Sequence, residues 1–187
     1  MKKILGFLAF LSLFFLTACG GSNDNPAPKL SKDYPLELFT GSGFEIYAPE
    51  KWTASGSESL PKPYMGDIVL SIRSPQKRYG FSNNLLILKK KLDSTLSSLQ
   101  YSMMNYRATK GKYIEYEKID ARPINFGDSD TSRVYVYDAK YNQKIQKLRF
   151  IETAKMCGTT VYMLHFTIAL DRSPEDYIKL LSSFRCK

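Results

Sequence analysis

The chain has 187 residues, of which 43% are hydrophobic, and a formal net charge of +9. A chain of this size buries about 70% of its extended surface on folding, enough for one ordinary core. It contains one histidine and lacks a CxxC pair, a glycine-rich phosphate loop and a nucleophile elbow, which argues against the usual acid–base, redox and phosphoryl-transfer sites. We therefore expect a single domain that is not an enzyme and holds no cofactor or metal.

Residues 1–18 have the features of a lipoprotein signal peptide. Two lysines precede an apolar run from Ile4 to Leu16, which is shorter than the ~20 residues that a membrane-spanning helix needs. The run ends in Leu-Thr-Ala-Cys, which resembles the bacterial lipobox, so Cys19 is predicted to carry the lipid and to become the first mature residue. Two or three acyl chains would attach the protein to a membrane almost permanently. The alternative is an ordinary signal peptide followed by an incidental thiol.

Residues 19–33 are predicted to be a lipidated flexible tether, because residues 20–28 consist of turn and linker residues without an apolar period. The folded domain is expected at residues 34–187. Loss of Lys2 and Lys3 with the signal peptide lowers the formal charge from +9 to +7. We expect an exported protein, anchored to the cell membrane or the outer membrane. There its charge would attract acidic proteins or other anionic surfaces rather than nucleic acid.

Cys157 and Cys186 remain once Cys19 is lipidated. An even number of thiols in an oxidising compartment predicts a disulfide between them. Closing a loop of roughly 30 residues would be worth about 3–4 kcal/mol in the chain-entropy model. The alternative is a metal site that includes His165. Residues eight apart on an extended strand are about 26 Å apart, so Cys157 and His165 could share a metal only if the strand folded back. His165 is therefore expected to be structural.

Alternating apolar residues predict the first strands at residues 43–47, 67–73 and 85–91, as the first half of a sheet. The period then changes to three and four, which predicts an amphipathic helix with Asp93 as its N-cap. Its apolar stripe consists of Leu92, Leu96, Leu99, Met103 and Tyr106.

Four further strands are predicted at residues 112–120, 133–141, 145–154 and 159–170, and their short connections make neighbours antiparallel. The last is apolar on both faces, as a central strand would be. Ser173 and Pro174 then begin a closing helix with acids in its first turn. The predicted class is α+β, an antiparallel sheet flanked by helices.

Three short motifs carry a resemblance to a known family: Phe44-x-Ile46-x-x-Pro49-x-x-Trp52, Phe166-x-Ile168 and Ser182-Ser183-Phe184. In this order of strands and helices the chain resembles the PsbP-like fold over residues 40–185. The resemblance implies an α/β/α sandwich and a tendency to bind other proteins, and it implies no reaction. The first motif has its own physical reading, in which Trp52 folds over the sheet edge as an apolar plug.

Three groups of residues are candidate sites. An anionic partner could bind basic residues that also suit solvated strand ends, namely Lys89, Lys90, Lys91, Lys147 and Arg149. Tyr135, Tyr137 and Tyr141 share one strand face and could line a ligand site, or could simply be covered by a helix. Asp128-Ser129-Asp130 offers oxygen ligands, but the spacing of a calcium loop is missing.

The predicted function is that of a membrane-anchored lipoprotein acting as a protein-interaction or assembly-accessory module at the cell envelope. The alternative is a lipoprotein that binds a small anionic or amphipathic ligand, which a deep apolar pocket beneath Tyr135 and Tyr137 would favour. An enzyme would require a cleft with perturbed titrating groups.

Overall fold

The computed structural model describes residues 26–31, 34–55, 63 and 65–187. Cys19, the predicted signal peptide and most of the predicted tether lie outside these residues. Two antiparallel sheets and two helices form within them, and no helix of the described ranges is long and apolar enough to span a membrane. The elements are β1 Leu36–Gly41, β2 Phe44–Pro49, β3 Thr53–Ala54, β4 Asp67–Arg78, β5 Phe81–Lys91, α1 Ser98–Lys110, β6 Ile114–Asn125, β7 Thr131–Lys140, β8 Leu148–Cys157, β9 Thr160–Ile168, α2 Glu175–Ser182 and β10 Arg185–Cys186.

The main sheet has seven strands in the order β3-β4-β5-β9-β8-β7-β6, and a smaller sheet has the order β1-β2-β10. One face of the main sheet packs against α1, while α2 and the small sheet cover the other. This confirms the α+β class with helices flanking an antiparallel sheet. The strand predicted at residues 43–47 does not join the main sheet, because β2 pairs with β1 and β10 instead.

The larger core lies between the main sheet and the layer formed by β2 and α2. Phe44 and Phe184 stack there with ring centroids 5.4 Å apart, and both are almost fully buried. Trp52 packs edge to face on Phe166 at 5.9 Å, as predicted for an apolar plug. The central position of β9 is also confirmed, since it lies between β5 and β8.

Helix α1 begins later than predicted. Its N-cap is Ser97, not Asp93, and Ser97 and Gln100 form a capping box in which each side chain bonds the other's backbone N–H. The buried face is partly polar because it meets backbone groups at the ends of strands. Ser102 donates to the Arg133 carbonyl, and the backbone N–H of Met156 donates to Ser98 Oγ. Leu92 and Leu96 precede the helix and pack beside it.

The predicted disulfide between Cys157 and Cys186 is present, with Cα atoms 5.7 Å apart. Cys157 ends β8 in the main sheet, whereas Cys186 lies in β10 of the small sheet. The bond therefore joins the two sheets covalently and fixes the end of the chain.

Part of the predicted tether contacts the domain. Leu30 packs against the larger core. The backbone N–H of Ser31 donates to Asp176 Oδ1 at 2.7 Å, and its hydroxyl donates to the other carboxylate oxygen. The chain thus reaches the domain before Tyr34, at the first turn of α2.

Candidate functional site

The tyrosine face of β7 is filled from within the protein. The ring of Tyr106, from α1, stacks on Tyr135 with centroids 3.8 Å apart. Tyr113 and Tyr116 lie against Tyr137, which is 1% exposed. The face is therefore covered by a helix and the following strand, and the deep pocket that would favour ligand capture is not formed beneath these two tyrosines.

A buried acid and the single histidine lie together on this face. Glu152 of β8 and His165 of β9 are directly opposite each other, and His165 Nδ1 lies 3.0 Å from Glu152 Oε2. Within the described residues the Glu152 oxygens, His165 Nε2 and the Tyr137 hydroxyl are buried without a well-formed hydrogen bond. Burial, and then the charge of Glu152, raise the pKa of Tyr137 above its ordinary value. Glu152 is buried and His165 is 22% exposed, and their pairing across the two strands is what a structural histidine predicts.

Asp128 and Asp130 both form ion pairs with Lys155. Lys155 Nζ lies 2.8 Å from Asp128 Oδ2 and 2.7 Å from Asp130 Oδ2, and its side chain is 3% exposed. Burial alone would raise the pKa of Asp130, but hydrogen bonds from Lys155 and Ser98 outweigh burial, so the pKa is lowered. A buried ammonium group therefore occupies the position where a cation ligand set was considered.

The five basic residues of the predicted anionic surface fall into two groups. Lys89, Lys90 and Lys91 end β5, and Lys89 Nζ lies 5.8 Å from the centre of the Tyr162 ring. Lys147 immediately precedes β8, and Arg149 is the second residue of that strand.

These two groups are at opposite ends of the main sheet. Lys89 is opposite Tyr162 on β9, whereas Arg149 is opposite Ile168, six residues further along the same strand. Six residues of strand span about 20 Å. The five side chains therefore do not form one surface.

Lys147 and Arg149 are also neutralised locally. Lys147 Nζ lies 2.9 Å from Glu117 Oε2. Arg149 binds both carboxylate oxygens of Asp138, at 2.8 and 2.9 Å, and only 17% of its side chain is exposed. The hydrogen bonds to Asp138 raise the pKa of Arg149 further. Arg149 is a structural ion-pair residue, which corrects its assignment to a partner surface.

An exposed apolar group lies beyond the covered tyrosines, at the end of the sheet that holds Lys147. Tyr141 is 67% exposed and meets Tyr113 at a centroid distance of 6.0 Å. Ile114 is paired with Lys140, the residue before Tyr141, and Ile145 closes the turn that follows Tyr141. We call this group, Tyr113, Ile114, Tyr141 and Ile145, the Tyr141 patch.

A cleft of about 260 Å³ lies on the other face of the sheet. Its aromatic wall is formed by Tyr34, Trp52 and Tyr177, and Asn83 and Arg172 contribute polar groups. Trp52 was predicted to cover a sheet edge, whereas the cleft beside it was not predicted. Its residues come from the N-terminal segment, from β2, β4 and β5 or loops beside them, and from α2 with the loop before it. No local sequence motif therefore contains them.

The chain has a PsbP-like fold. Its antiparallel main sheet is covered by a helix on one face and by a helix with a small sheet on the other. The solution structure of cyanobacterial PsbP (CyanoP) from Synechocystis sp. PCC 6803 matches this chain with a TM-score of 0.54. The match covers 92% of this chain and 99% of that chain at 16% sequence identity, so the likeness concerns the fold.

Two further solved structures are similar at lower TM-scores. A Pseudomonas aeruginosa protein of unknown function matches with a TM-score of 0.48 and 10% identity, over 75% of this chain and 87% of that chain. A Bacteroides thetaiotaomicron protein matches with a TM-score of 0.45 and 10% identity, over 77% of this chain and 45% of that chain. No protein-family model matches the sequence, and no curated protein does.

Proposed function

We propose that this chain is a lipid-anchored protein of the cell envelope that acts by binding another protein, as an interaction or assembly-accessory module. The N-terminal sequence supports the anchor through its charged start, its short apolar run and Cys19. The disulfide supports a location outside the cytoplasm, because such bonds persist in oxidising compartments.

The Tyr141 patch is the observation that carries this proposal. Tyr141, Ile114 and Ile145 expose 67%, 39% and 39% of their surface and lie on neighbouring segments at one end of the sheet. Single exposed apolar residues need no explanation, but an exposed aromatic ring with apolar residues on neighbouring segments is typical of a protein interface. Tyrosine is also enriched among the residues that dominate binding energies.

The surroundings of the patch indicate the charge of the partner. The segments 110–118 and 140–147 that carry the patch contain six lysines and two glutamates. Lys140 and Lys147 are paired with those glutamates, at positions 115 and 117. The net positive charge of these segments suits a partner with an apolar centre and an acidic rim, and it would steer the encounter electrostatically.

Binding is also more consistent with the chemistry of the interior than catalysis. The single histidine is committed to a buried carboxylate beneath α1. The second predicted function, ligand capture beneath Tyr135 and Tyr137, is not supported because Tyr106, Tyr113 and Tyr116 occupy that space.

Site-specific photocrosslinking in intact cells tests the proposal. The full chain would carry p-benzoylphenylalanine in place of Tyr141, or in place of Tyr79 as the matched control. Tyr79 is 77% exposed and lies on the turn between β4 and β5, and β5 is three strand positions from β7 in the sheet, about 14 Å away. We expect a discrete protein adduct from position 141 and none from position 79.

A second arm measures the contribution of the apolar side chains. With p-benzoylphenylalanine placed instead at the exposed Lys144 of the same segment, replacing both Tyr141 and Ile145 by Ser should reduce recovery of the crosslinked partner at least fivefold, because truncated interface anchors commonly cost more than about 1 kcal/mol each. Equal adducts from both positions, adducts to lipid alone, or unchanged recovery with the double variant would contradict the proposed interface.

A further inference from the structure

We propose that the cleft between Trp52, Tyr177 and the loop before α2 binds a small organic carboxylate with a flat apolar body. This site is separate from the Tyr141 patch, and the inference does not depend on the protein-binding function. It rests on a rigid aromatic wall, an oriented amide and an arginine that forms no ion pair with the residues that the structure describes.

The aromatic wall is supported by contacts with the protein core. Trp52 and Tyr177 both pack edge-on against the buried Phe166, at centroid distances of 5.9 and 5.2 Å. Their own centroids are 6.5 Å apart. Both rings are half-buried, so one side contacts the core while another side lines the cleft. A planar ligand could stack here without ordering mobile side chains, which reduces the entropic cost of binding.

Asn83 provides an oriented polar group. Its amide nitrogen donates to the Tyr177 hydroxyl at 2.9 Å, and its amide oxygen accepts the backbone N–H of Ala169 at 3.0 Å. These two bonds fix which end of the amide is the donor. Because an amide nitrogen carries two hydrogens, the second remains for a ligand oxygen.

The charge of the cleft comes from Arg172. Within the described residues its guanidinium forms no ion pair, and its buried Nε has no hydrogen-bond partner. Its positive charge acts on the Tyr177 hydroxyl, where it opposes the rise in pKa that burial causes. Because Nε is inaccessible to solvent, a ligand in the cleft would have to be bound by the terminal Nη groups of Arg172.

The two carboxylates at the cleft have other partners. Asp171 is paired with Arg78, and Asp176 accepts two hydrogen bonds from Ser31 and lies 3.9 Å from Lys179 Nζ. Each carboxylate therefore has a cationic neighbour other than Arg172, and a guanidinium binds carboxylates through two parallel hydrogen bonds. The volume of about 260 Å³ lies just below the range of drug-sized sites, roughly 300–1,000 Å³, and therefore suits a ligand of metabolite size.

NMR of the full chain tests this proposal directly, because the sequence contains a single tryptophan. The one indole N–H resonance in a ¹⁵N-labelled sample belongs to Trp52. Unlabelled indole-3-carboxylate and its neutral isostere indole-3-carboxamide are the probes. We expect a saturable shift of the Trp52 resonance with the carboxylate and at least tenfold weaker binding of the carboxamide.

Substitution of Arg172 separates charge recognition from stacking. Arg172→Gln should weaken indole-3-carboxylate binding at least tenfold and leave carboxamide binding unchanged. Arg172→Lys should fall between, since it keeps the charge and loses the fork. The matched control is Arg73→Gln, which removes an exposed arginine on β4 that lies outside the cleft and should bind like the parent chain.

The proposal is wrong if the two probes bind equally, if neither shifts the Trp52 resonance in folded protein at millimolar concentration, or if Arg172→Gln binds the carboxylate as the parent does. Should Arg172→Gln not fold, the comparison of carboxylate with carboxamide on the unmodified chain decides the question alone.

Discussion

His165 and Glu152 face each other across β9 and β8, with His165 Nδ1 3.0 Å from Glu152 Oε2. Glu152 is 2% exposed, and within the described residues no lysine or arginine pairs with it. The single histidine of the chain is therefore the neighbour that can offset a buried negative charge.

Replacing His165 by Ala should lower the free energy of unfolding by about 2 kcal/mol, because the variant leaves a buried carboxylate without its partner. Glu152→Leu combined with His165→Phe should lie within about 1 kcal/mol of the parent, since an apolar pair of similar volume removes the cost of burying charge. Urea denaturation of Glu152→Leu, His165→Phe and the double variant measures the coupling. Simple additivity of the single effects would show that the pair is not coupled.

Reduction of the disulfide should destabilise the protein by about 3 kcal/mol, through the freedom that a loop of this length gains in the unfolded chain. The test compares urea denaturation with and without dithiothreitol, and Cys157→Ala/Cys186→Ala should be insensitive to the reductant. Alkylation and intact mass of exported protein without reductant should find both thiols blocked. Two labelled thiols would rule the bond out in the exported protein.

Asp130 predicts a loss of stability in acid. Its pKa is lowered in the folded state, so its contribution is present above the unfolded value of about 3.9 and is lost as pH falls through the folded value. Asp130→Asn should reduce stability at pH 7 by about 1–3 kcal/mol, because Lys155 keeps only Asp128. It should also flatten the dependence of stability on pH below about 4.

The matched control for this experiment is Asp93→Asn, since Asp93 is exposed and is in no ion pair among the described residues. Urea denaturation between pH 3 and pH 7 gives both profiles. If the Asp130 and Asp93 variants show the same profile, the Lys155 pair does not contribute to the acid sensitivity.

Cys19→Ala should abolish stable membrane partitioning, because permanent attachment requires acyl chains that only the cysteine can accept. Fractionation of cells after a salt wash measures this, with Cys186→Ala as a cysteine variant that should remain in the membrane pellet. Recovery of mature Cys19→Ala protein in the washed pellet would refute the lipid anchor.

Local sequence patterns were sufficient for the elements whose signals are contained in a few neighbouring residues. The two-sided apolar strand β9 and the packing role of Trp52 follow from short-range periodicity and side-chain size. The closing helix was predicted one residue early, since Pro174 is its N-cap rather than its first residue. The pairing of Cys157 with Cys186 followed from counting thiols. The order and periodicity of the strands and helices predicted the fold class without any information on contacts between distant residues.

Other features depend on contacts between distant parts of the chain, and only the tertiary structure decided them. β2 is outside the main sheet because its hydrogen-bonded partners are β1 and β10. Arg149 looks like an available cation in the sequence, but the pairing of β7 with β8 places Asp138 directly opposite it. Ser31 and Asp176 are 145 residues apart in the sequence, but they are hydrogen-bonded to each other at one side of the cleft that Trp52 and Tyr177 line. Periodicity specifies which face of an element is apolar, whereas register and packing between elements specify which charges are neutralised and where a cleft remains.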